Sequence, residues 1–302
     1  MNRILLVTNA AAGTNEQEAV DAALDVLRKG AEVEVAATSS PEELDEVVAG
    51  LDGRTVVACG GDGTLHAVVN ALSRAGALGS TDFGLIPLGT GNDFARGIGL
   101  PLEPDAAAAV ISGGRTVATD LIVDDEGTVV VNNVHLGVGA QASRRAEKWK
   151  PRFGKIGIGK VGYLVGALDA SLQPKYLKVE VTVDGTVLQG RELTRGHRVA
   201  QVAIGNGSDV GGGTQLIPGA DPEDGKLSVI VSRTRGTWSK LSYAARLRLG
   251  THNLMKEVTE VTGTEVRVRG ERFYCVADGE IAGPYTDKSW SLKRGALSMF
   301  RP

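Results

Sequence analysis

The chain is 302 residues long and 42% apolar, enough to fill the core of one large domain or two ordinary ones, which excludes a disordered tail. Its 33 Lys and Arg stand against 36 Asp and Glu, a formal charge of −3, so no overall basic field recommends a nucleic-acid partner. Aromatics at 4% likewise disfavour a stacking platform for single strands. Residues 3–8 form a short apolar run behind a single basic residue, which reads as a first strand and not as a secretion signal. Residues 16–29 place Val20, Ala23, Leu24 and Leu27 at helical spacing. Residues 32–37 alternate as a strand, and Ser40-Pro41-Glu42-Glu43 carries an N-cap, a proline at N1 and a capping-box glutamate. A third strand at 55–59, a helix at 64–75, a fourth strand at 83–87 and a helix near Asp93 follow. Strand and helix alternating at this rhythm predict a doubly wound, mainly parallel sheet covered on both faces.

From about residue 116 the texture turns to β-rich segments at 117–123, 129–134, 179–183, 199–205, 227–231, 266–269 and 273–277, with helical insertions near 160–172 and 239–249. Asp184-Gly185, Asp224-Gly225 and Asp278-Gly279 are turn signals between them. The expectation is an α/β domain at 1–116 and a mainly antiparallel, β-rich domain at 117–302, with the stretch about 286–302 packing back on the first. Cys59 and Cys275 sit in apolar, strand-like runs and read as buried free thiols of a reducing compartment. No stretch approaches ~18 uncharged apolar residues, so a cytoplasmic protein with at most peripheral membrane contact is expected.

Glycine is the unusual entry in the composition, with 41 residues, about 14% and roughly twice average usage. Gly60-Gly61-Asp62-Gly63-Thr64 follows a strand and opens a helix, whose free N–H groups and positive dipole end suit a phosphate. No Gly-Lys-Ser/Thr follows, so it is not a Walker A loop, and His66 stands where the Rossmann spacing needs its third glycine. A plain tight turn is the alternative. A second glycine loop, Pro87-Leu88-Gly89-Thr90-Gly91-Asn92-Asp93, ends the next strand. In an open parallel sheet such loops meet at the carboxyl edge, where ligands bind. Thr90 is the better ligand contact there, while Asn92 or Asp93 could equally cap the next helix.

GGDGTLHAVVNAL and PLGTGNDFARGIGLP resemble the bacterial diacylglycerol kinase family of soluble lipid kinases, which is related to sphingosine and ceramide kinases and more distantly to NAD kinases. Gly211-Gly212-Gly213, Ile217-Pro218-Gly219-Ala220 and Asp224-Gly225-Lys226-Leu227 are similar to that family's third block, and Asp278-Gly279-Glu280 to its last. The resemblance implies a diacylglycerol kinase-like fold whose first domain binds ATP and whose second takes the lipid. It implies ATP- and Mg²⁺-dependent transfer of the γ-phosphoryl group to a lipid alcohol, diacylglycerol, at the membrane surface in phospholipid metabolism. The phosphates would lie against Gly60, Gly61, Asp62, Gly63, Thr64, Leu65 and His66, with Thr8, Asn9, Ala10, Ala11, Ala12, Thr38 and Thr90 completing the nucleotide site. The first of these turns departs from the family's Asn-Pro, since Ala10 follows Asn9. Glu280 would be the general base and Asp62 would organise the catalytic Mg²⁺. Asp224, with carbonyls at Asp221 and Lys226, would hold a second, structural Mg²⁺. Alternatives are a kinase of another lipid alcohol, a non-catalytic regulator on the same scaffold, and NAD kinase, which the GTGNDFAR motif disfavours. A homodimer stays open.

Two stretches concentrate positive charge beside aromatics. Arg144, Arg145, Lys148, Lys150, Arg152, Lys155 and Lys160 oppose only Glu147, near Trp149 and Phe153; Arg233, Arg235, Lys240, Arg246, Arg248 and Lys256 run without an acid, near Trp238 and Tyr243. Such composition suits an anionic bilayer, a solvated helix face, or charges that hold ATP.

Overall fold

A computed structural model describes residues 2–10, 14–138, 140–141, 176–188 and 198–302. The helical stretch expected near 160–172 and the basic stretch at 144–160 lie outside these. The chain divides into two compact units. Unit 1 comprises Met1–Leu121, Pro222–Gly225 and Lys293–Pro302, and unit 2 comprises Ile122–Asp221 and Lys226–Leu292.

In unit 1 the apolar runs become β1 (Asn2–Asn9), β2 (Ala31–Thr38), β3 (Thr55–Gly60) and β4 (Asp82–Pro87). All pair in parallel in the order β4-β3-β1-β2, and the far end of a long last strand, β17 (Glu280–Phe300), adds to β4 through Ser298 and Met299. Helices α1 (Thr14–Leu27) and α5 (Pro104–Ser112) cover one face, burying Ala23, Leu24, Leu27, Ala108 and Ile111 on Ile4, Leu6, Val57 and Ile86. Helices α2 (Pro41–Ala49) and α3 (Asp62–Arg74) pack together, and each buries an apolar stripe, Leu44 and Val48 in α2 and Leu65, Val68, Val69 and Leu72 in α3. The start of α2 is the expected capping box: Ser40 Oγ accepts from Glu43 N at 3.2 Å. The glutamate reaches one residue further back than expected, to Ser39 N at 2.8 Å, and that bond holds its carboxyl below the usual range.

In unit 2 five strands run antiparallel in the order β15-β14-β11-β7-β16: β7 (Asn133–Gly137), β11 (Gln201–Gly205), β14 (Leu227–Ser232), β15 (Val258–Gly263) and β16 (Glu265–Ala277). Strand β16 changes neighbours along its length. Its start pairs with β8 (Leu177–Val183) and its end with β7, and the register is irregular between Arg269 and Phe273. Val181, Val266, Val268 and Trp290 join Val134, Leu136, Val202 and Val229 in one buried core. Two strands expected at 266–269 and 273–277 are thus one, and β15, β17 and α5 have no counterpart in the sequence reading.

One lysine lies in this core. Lys288 Nζ sits 2.7–3.0 Å from the carboxylates of Asp124, Asp125 and Glu126 and 4.7 Å from the centre of the Tyr285 ring. Burial alone would depress it, but three carboxylates outweigh burial and hold it above the ordinary lysine value. Both cysteines are free and buried, and burial pushes Cys59 up to about 12 and Cys275 up to about 11, so neither is a thiolate near neutrality. Among the described residues no helix is long and apolar enough to cross a membrane.

Candidate active site

The sheet of unit 1 reverses its winding next to β1, because β2 lies on one side and β3 on the other. The crevice beyond the carboxyl ends of such strands is where open α/β sheets take ligands. Thr8 and Asn9 end β1, Thr38 ends β2, and Ala10 N donates to Thr38 O at 3.0 Å. Ala11 and Ala12 lie outside the described residues. Gly60 ends β3, Gly61 caps α3, and the loop after β4 carries Gly89, Thr90 and Gly91. All the described residues expected to hold the nucleotide therefore lie at or just beyond one edge of one sheet.

Two of these loops touch through bare backbone. A methyl group built on Gly89 would fall 2.5 Å from Gly61 Cα, and one on Gly61 would fall 3.0 Å from Gly89 Cα. Leu88 N donates to Gly60 O at 2.9 Å, which fixes the approach. Helix α3 starts without a side-chain cap, so its first-turn N–H groups keep their capacity for an outside acceptor. Leu65 contributes only backbone here: its side chain is in the core and its N donates to Gly61 O at 3.0 Å. Asp62 turns toward the second loop. Its Oδ1 accepts from Phe94 N at 3.3 Å, and its Oδ2 lies beside Gly91.

Asn92 occupies the N-cap position of the short helix α4 (Asp93–Gly97), yet its side chain does not cap it. It takes a left-handed backbone, φ 51°, and its Nδ2 donates to Gly89 O at 2.7 Å. Its Oδ1 is buried with no hydrogen-bond partner among the described residues. Asn92 braces the loop from within, a role that a Gly-Asn pair in sequence does not distinguish from a cap.

In unit 2, Glu280 is exposed at the first position of β17, directly after a tight turn in which Asp278 (φ 47°) and Gly279 (φ 94°) are both left-handed. The Asp278 carboxylate is wrapped by three successive backbone donors: Val131 N at 2.7 Å, Asn132 N at 2.9 Å and Asn133 N at 3.2 Å. Beneath lies a knot of buried amides. Asn132 and Asn133 each donate through Nδ2 to Asp209 O, at 2.9 and 3.2 Å, and Asn206 Nδ2 donates to Val131 O at 2.8 Å. Sequence reading missed this knot, although paired asparagines inside an apolar run are its visible trace. Two residues along β7, His135 is fully buried, with no partner for either ring nitrogen among the described residues, and burial lowers it to about 4, so it is neutral at physiological pH.

Asp224 is exposed on the Pro222–Gly225 segment of unit 1. Buried Asp120 holds that segment: its Oδ2 accepts from Gly225 N at 2.8 Å, its Oδ1 from Gly295 N at 2.7 Å, and its own N donates to Pro222 O at 2.7 Å. Asp221 and Lys226 flank the segment in the chain and are exposed. Among the described residues no three His, Cys, Asp or Glu side chains form a group that could hold a metal. A lone loop carboxylate with backbone carbonyls still suits Mg²⁺, which keeps most of its waters.

Residues 3–123 match the diacylglycerol kinase catalytic domain family, and residues 132–301 match the YegS C-terminal NAD kinase beta sandwich-like domain family. A probable lipid kinase YegS from Escherichia fergusonii is 32% identical over 74% of this chain and 72% of its own length. The chain belongs to the diacylglycerol kinase and YegS family. A probable lipid kinase YegS-like protein from Serratia proteamaculans is 33% identical over 58% of this chain, and the match spans 54% of that relative. The chain thus spans little more than half the length of some curated family members. A crystal structure of a diacylglycerol kinase from Bacillus anthracis str. Sterne has the same fold, with a TM-score of 0.72 at 18% identity over 100% of this chain and 97% of that one. As the sequence leads one to expect of this family, the first unit is α/β with parallel strands and the second β-rich with antiparallel ones.

Proposed function

We propose that this chain is an ATP- and Mg²⁺-dependent lipid kinase that transfers the γ-phosphoryl group to the free hydroxyl of diacylglycerol, giving phosphatidate in phospholipid metabolism. The observation that carries the reading is the contact of Gly61 with Gly89 beside the uncapped start of α3. A site that presents N–H groups and no side-chain bulk selects a ligand with many acceptor oxygens, such as a polyphosphate. The family to which the chain belongs, and the names of its relatives, support a lipid as acceptor.

Phosphoryl transfer asks the protein for positioning, charge neutralisation and a proton acceptor. In this reading Gly60, Gly61, Gly63, Thr64 and His66 hold the phosphates, while Thr8, Asn9, Ala10, Thr38 and Thr90 hold the rest of the nucleotide. Asp62 would organise the catalytic Mg²⁺, and Asp224 with the Asp221 and Lys226 carbonyls would hold a structural one; when bound, the ion would neutralise charge that builds on the phosphoryl oxygens. Glu280 accepts the proton of the lipid hydroxyl as its oxygen attacks the γ-phosphorus. Its side chain is exposed, so its lone pairs stay available. The acceptor reaches the enzyme at the cytoplasmic face of the membrane, by transient peripheral contact.

The test is ³²P transfer from γ-labelled ATP into an extracted lipid pool, with the labelled product identified. Labelled phosphatidate is the expected result, and no labelled lipid overturns the reading. A second reading, a different lipid alcohol as acceptor, has the relatives' names in its favour, since they specify no acceptor. It predicts a labelled lipid other than phosphatidate.

A further inference from the structure

Helix α6 (Thr237–Arg248) of unit 2 buries none of its residues completely. Tyr243 and Leu247, one turn apart, pack against the buried cluster that holds Ile217, Ile230 and Val258, and Tyr243 meets the His252 ring edge-on at 5.2 Å. This is the helix's inner face. A second apolar face points outward: Trp238, Leu241, Ala245 and Leu249 recur at i, i+3, i+7 and i+11, the spacing of one stripe along a helix. Trp238 is 85% exposed, Leu241 57% and Leu249 74%, and Leu254 on the following turn is 73% exposed. A single exposed leucine needs no explanation, but four large apolar side chains on one helix, its C-cap and the turn after it do.

The charges around the stripe identify what covers it. Arg246 and Arg248 flank it on the helix, and Arg235 and Lys256 lie before and after; residues 233–256 contain no acid. Arg246, Arg248 and Lys256 have no ion pair with any described residue. Arg233 is taken up internally by Thr259, and Lys240 lies over the Tyr176 ring. The nearest acids in sequence, Glu257 and Glu260, accept from Ser239 and Asn253. A second copy of the chain docked about a two-fold axis would set these arginines against each other. A bilayer with anionic head groups satisfies both the cations and the stripe.

We infer that α6 is a membrane-docking element that inserts Trp238, Leu241 and Leu249 into the interface of an anionic bilayer, with Arg246 and Arg248 on the head groups. The inference locates the membrane contact that the proposed lipid kinase needs, yet binding is measured without ATP or turnover, so either can fail alone. The full chain is sedimented with phosphatidylcholine vesicles with and without phosphatidylglycerol. Binding to the anionic vesicles, weakening as salt rises, is expected. Trp238→Ser with Leu241→Ser is expected to lower the partition coefficient at least tenfold. At ~1 kcal/mol per charge and ~1.4 kcal/mol per decade, Arg246→Gln with Arg248→Gln is expected to lower it about 25-fold. Near-ultraviolet circular dichroism checks that the variants stay folded. Phosphorylation of a short-chain diacylglycerol in detergent micelles, measured separately, is expected to be unchanged. Equal vesicle binding by all three proteins overturns the inference. So does a stripe-dependent dimer in analytical ultracentrifugation without vesicle binding.

Discussion

Unit 2 contains two turns built from the same dipeptide. Asp184-Gly185 (φ 48° and 75°) and Asp278-Gly279 (φ 47° and 94°) are both left-handed pairs joining antiparallel strands. In both, the aspartate carboxylate reaches across to backbone donors of another segment: Asp184 Oδ1 takes Thr264 N and Glu265 N, each at 2.8 Å, and Asp278 takes Val131, Asn132 and Asn133. They differ in surroundings and in what comes next. Asp184 is exposed and followed by Thr186 after its glycine; Asp278 lies over the buried amide knot and is followed by Glu280. The same local chemistry thus serves as a strand connection in one place and, in the proposed reading, as the mount of the Glu280 carboxylate in the other. What differs is the buried amide network beneath the second turn.

The comparison can be broken in graded ways. The largest effect is expected from Glu280→Gln, which should lower kcat by about 10²–10⁴-fold with nucleotide binding retained, while Thr186→Ala leaves kcat unchanged; single-turnover assays with labelled ATP measure both. Near-normal turnover of a folded Glu280→Gln protein would remove the base assignment. Asp278→Ala strands backbone donors at Val131, Asn132 and Asn133, and urea titration should show a loss of about 2–4 kcal/mol together with a fall in kcat. Asp278→Asn should recover part of the stability. Next come Gly279→Ala and Gly185→Ala, each expected to cost about 1–2 kcal/mol because alanine pays for a left-handed backbone. Only the first should also alter kcat among the molecules that remain folded, since it alone moves Glu280.

The smallest effect concerns acid. Thr264 N and Glu265 N hold the Asp184 carboxyl below its ordinary value. A lowered folded value means that its contribution is complete above the unfolded aspartate range, near ~3.9, and is lost as pH falls through the folded value. Asp184→Asn should therefore destabilise slightly at neutral pH and no longer at the acid end, which a series of thermal melts from pH 7 downward would show. Equal destabilisation at every pH would mean that charge plays no part in that turn.

Much of unit 1 was legible because each element announced itself twice, by its period and by its boundary residues. Ser40-Pro41 starts α2, and glycine loops end β3 and β4. Strand β17 was not, since Gly283-Pro284 and Gly295 interrupt its alternation and its partners change along its length. Helix α5 hid because an alanine run has little polarity contrast to mark an amphipathic face. Among the candidate site residues, the glycine loops and Glu280 could be proposed from local motifs. Asp120, Asn132, Asn133 and Asn206 could not, because each acts on backbone far away in the chain: Asp120 on Gly225 and Gly295, and Asn206 on Val131. A motif records neighbours in sequence, and these residues work through neighbours in space.

The make-up of unit 1 also sets an order of events on the ribosome. Its first 121 residues supply four of its parallel strands, but the β4 edge waits for Ser298 and Met299, and Asp120 waits for Gly225 and Gly295. Leu297 and Met299 are fully buried once in place. Throughout synthesis of unit 2 the nascent sheet carries an open β4 edge, the state in which strands recruit wrong partners. A chain arrested after Leu121 should therefore be cut readily by protease and aggregate, and supplying residues 293–302 as a peptide should protect it. Unit 1 is thus begun before unit 2 and closed after it.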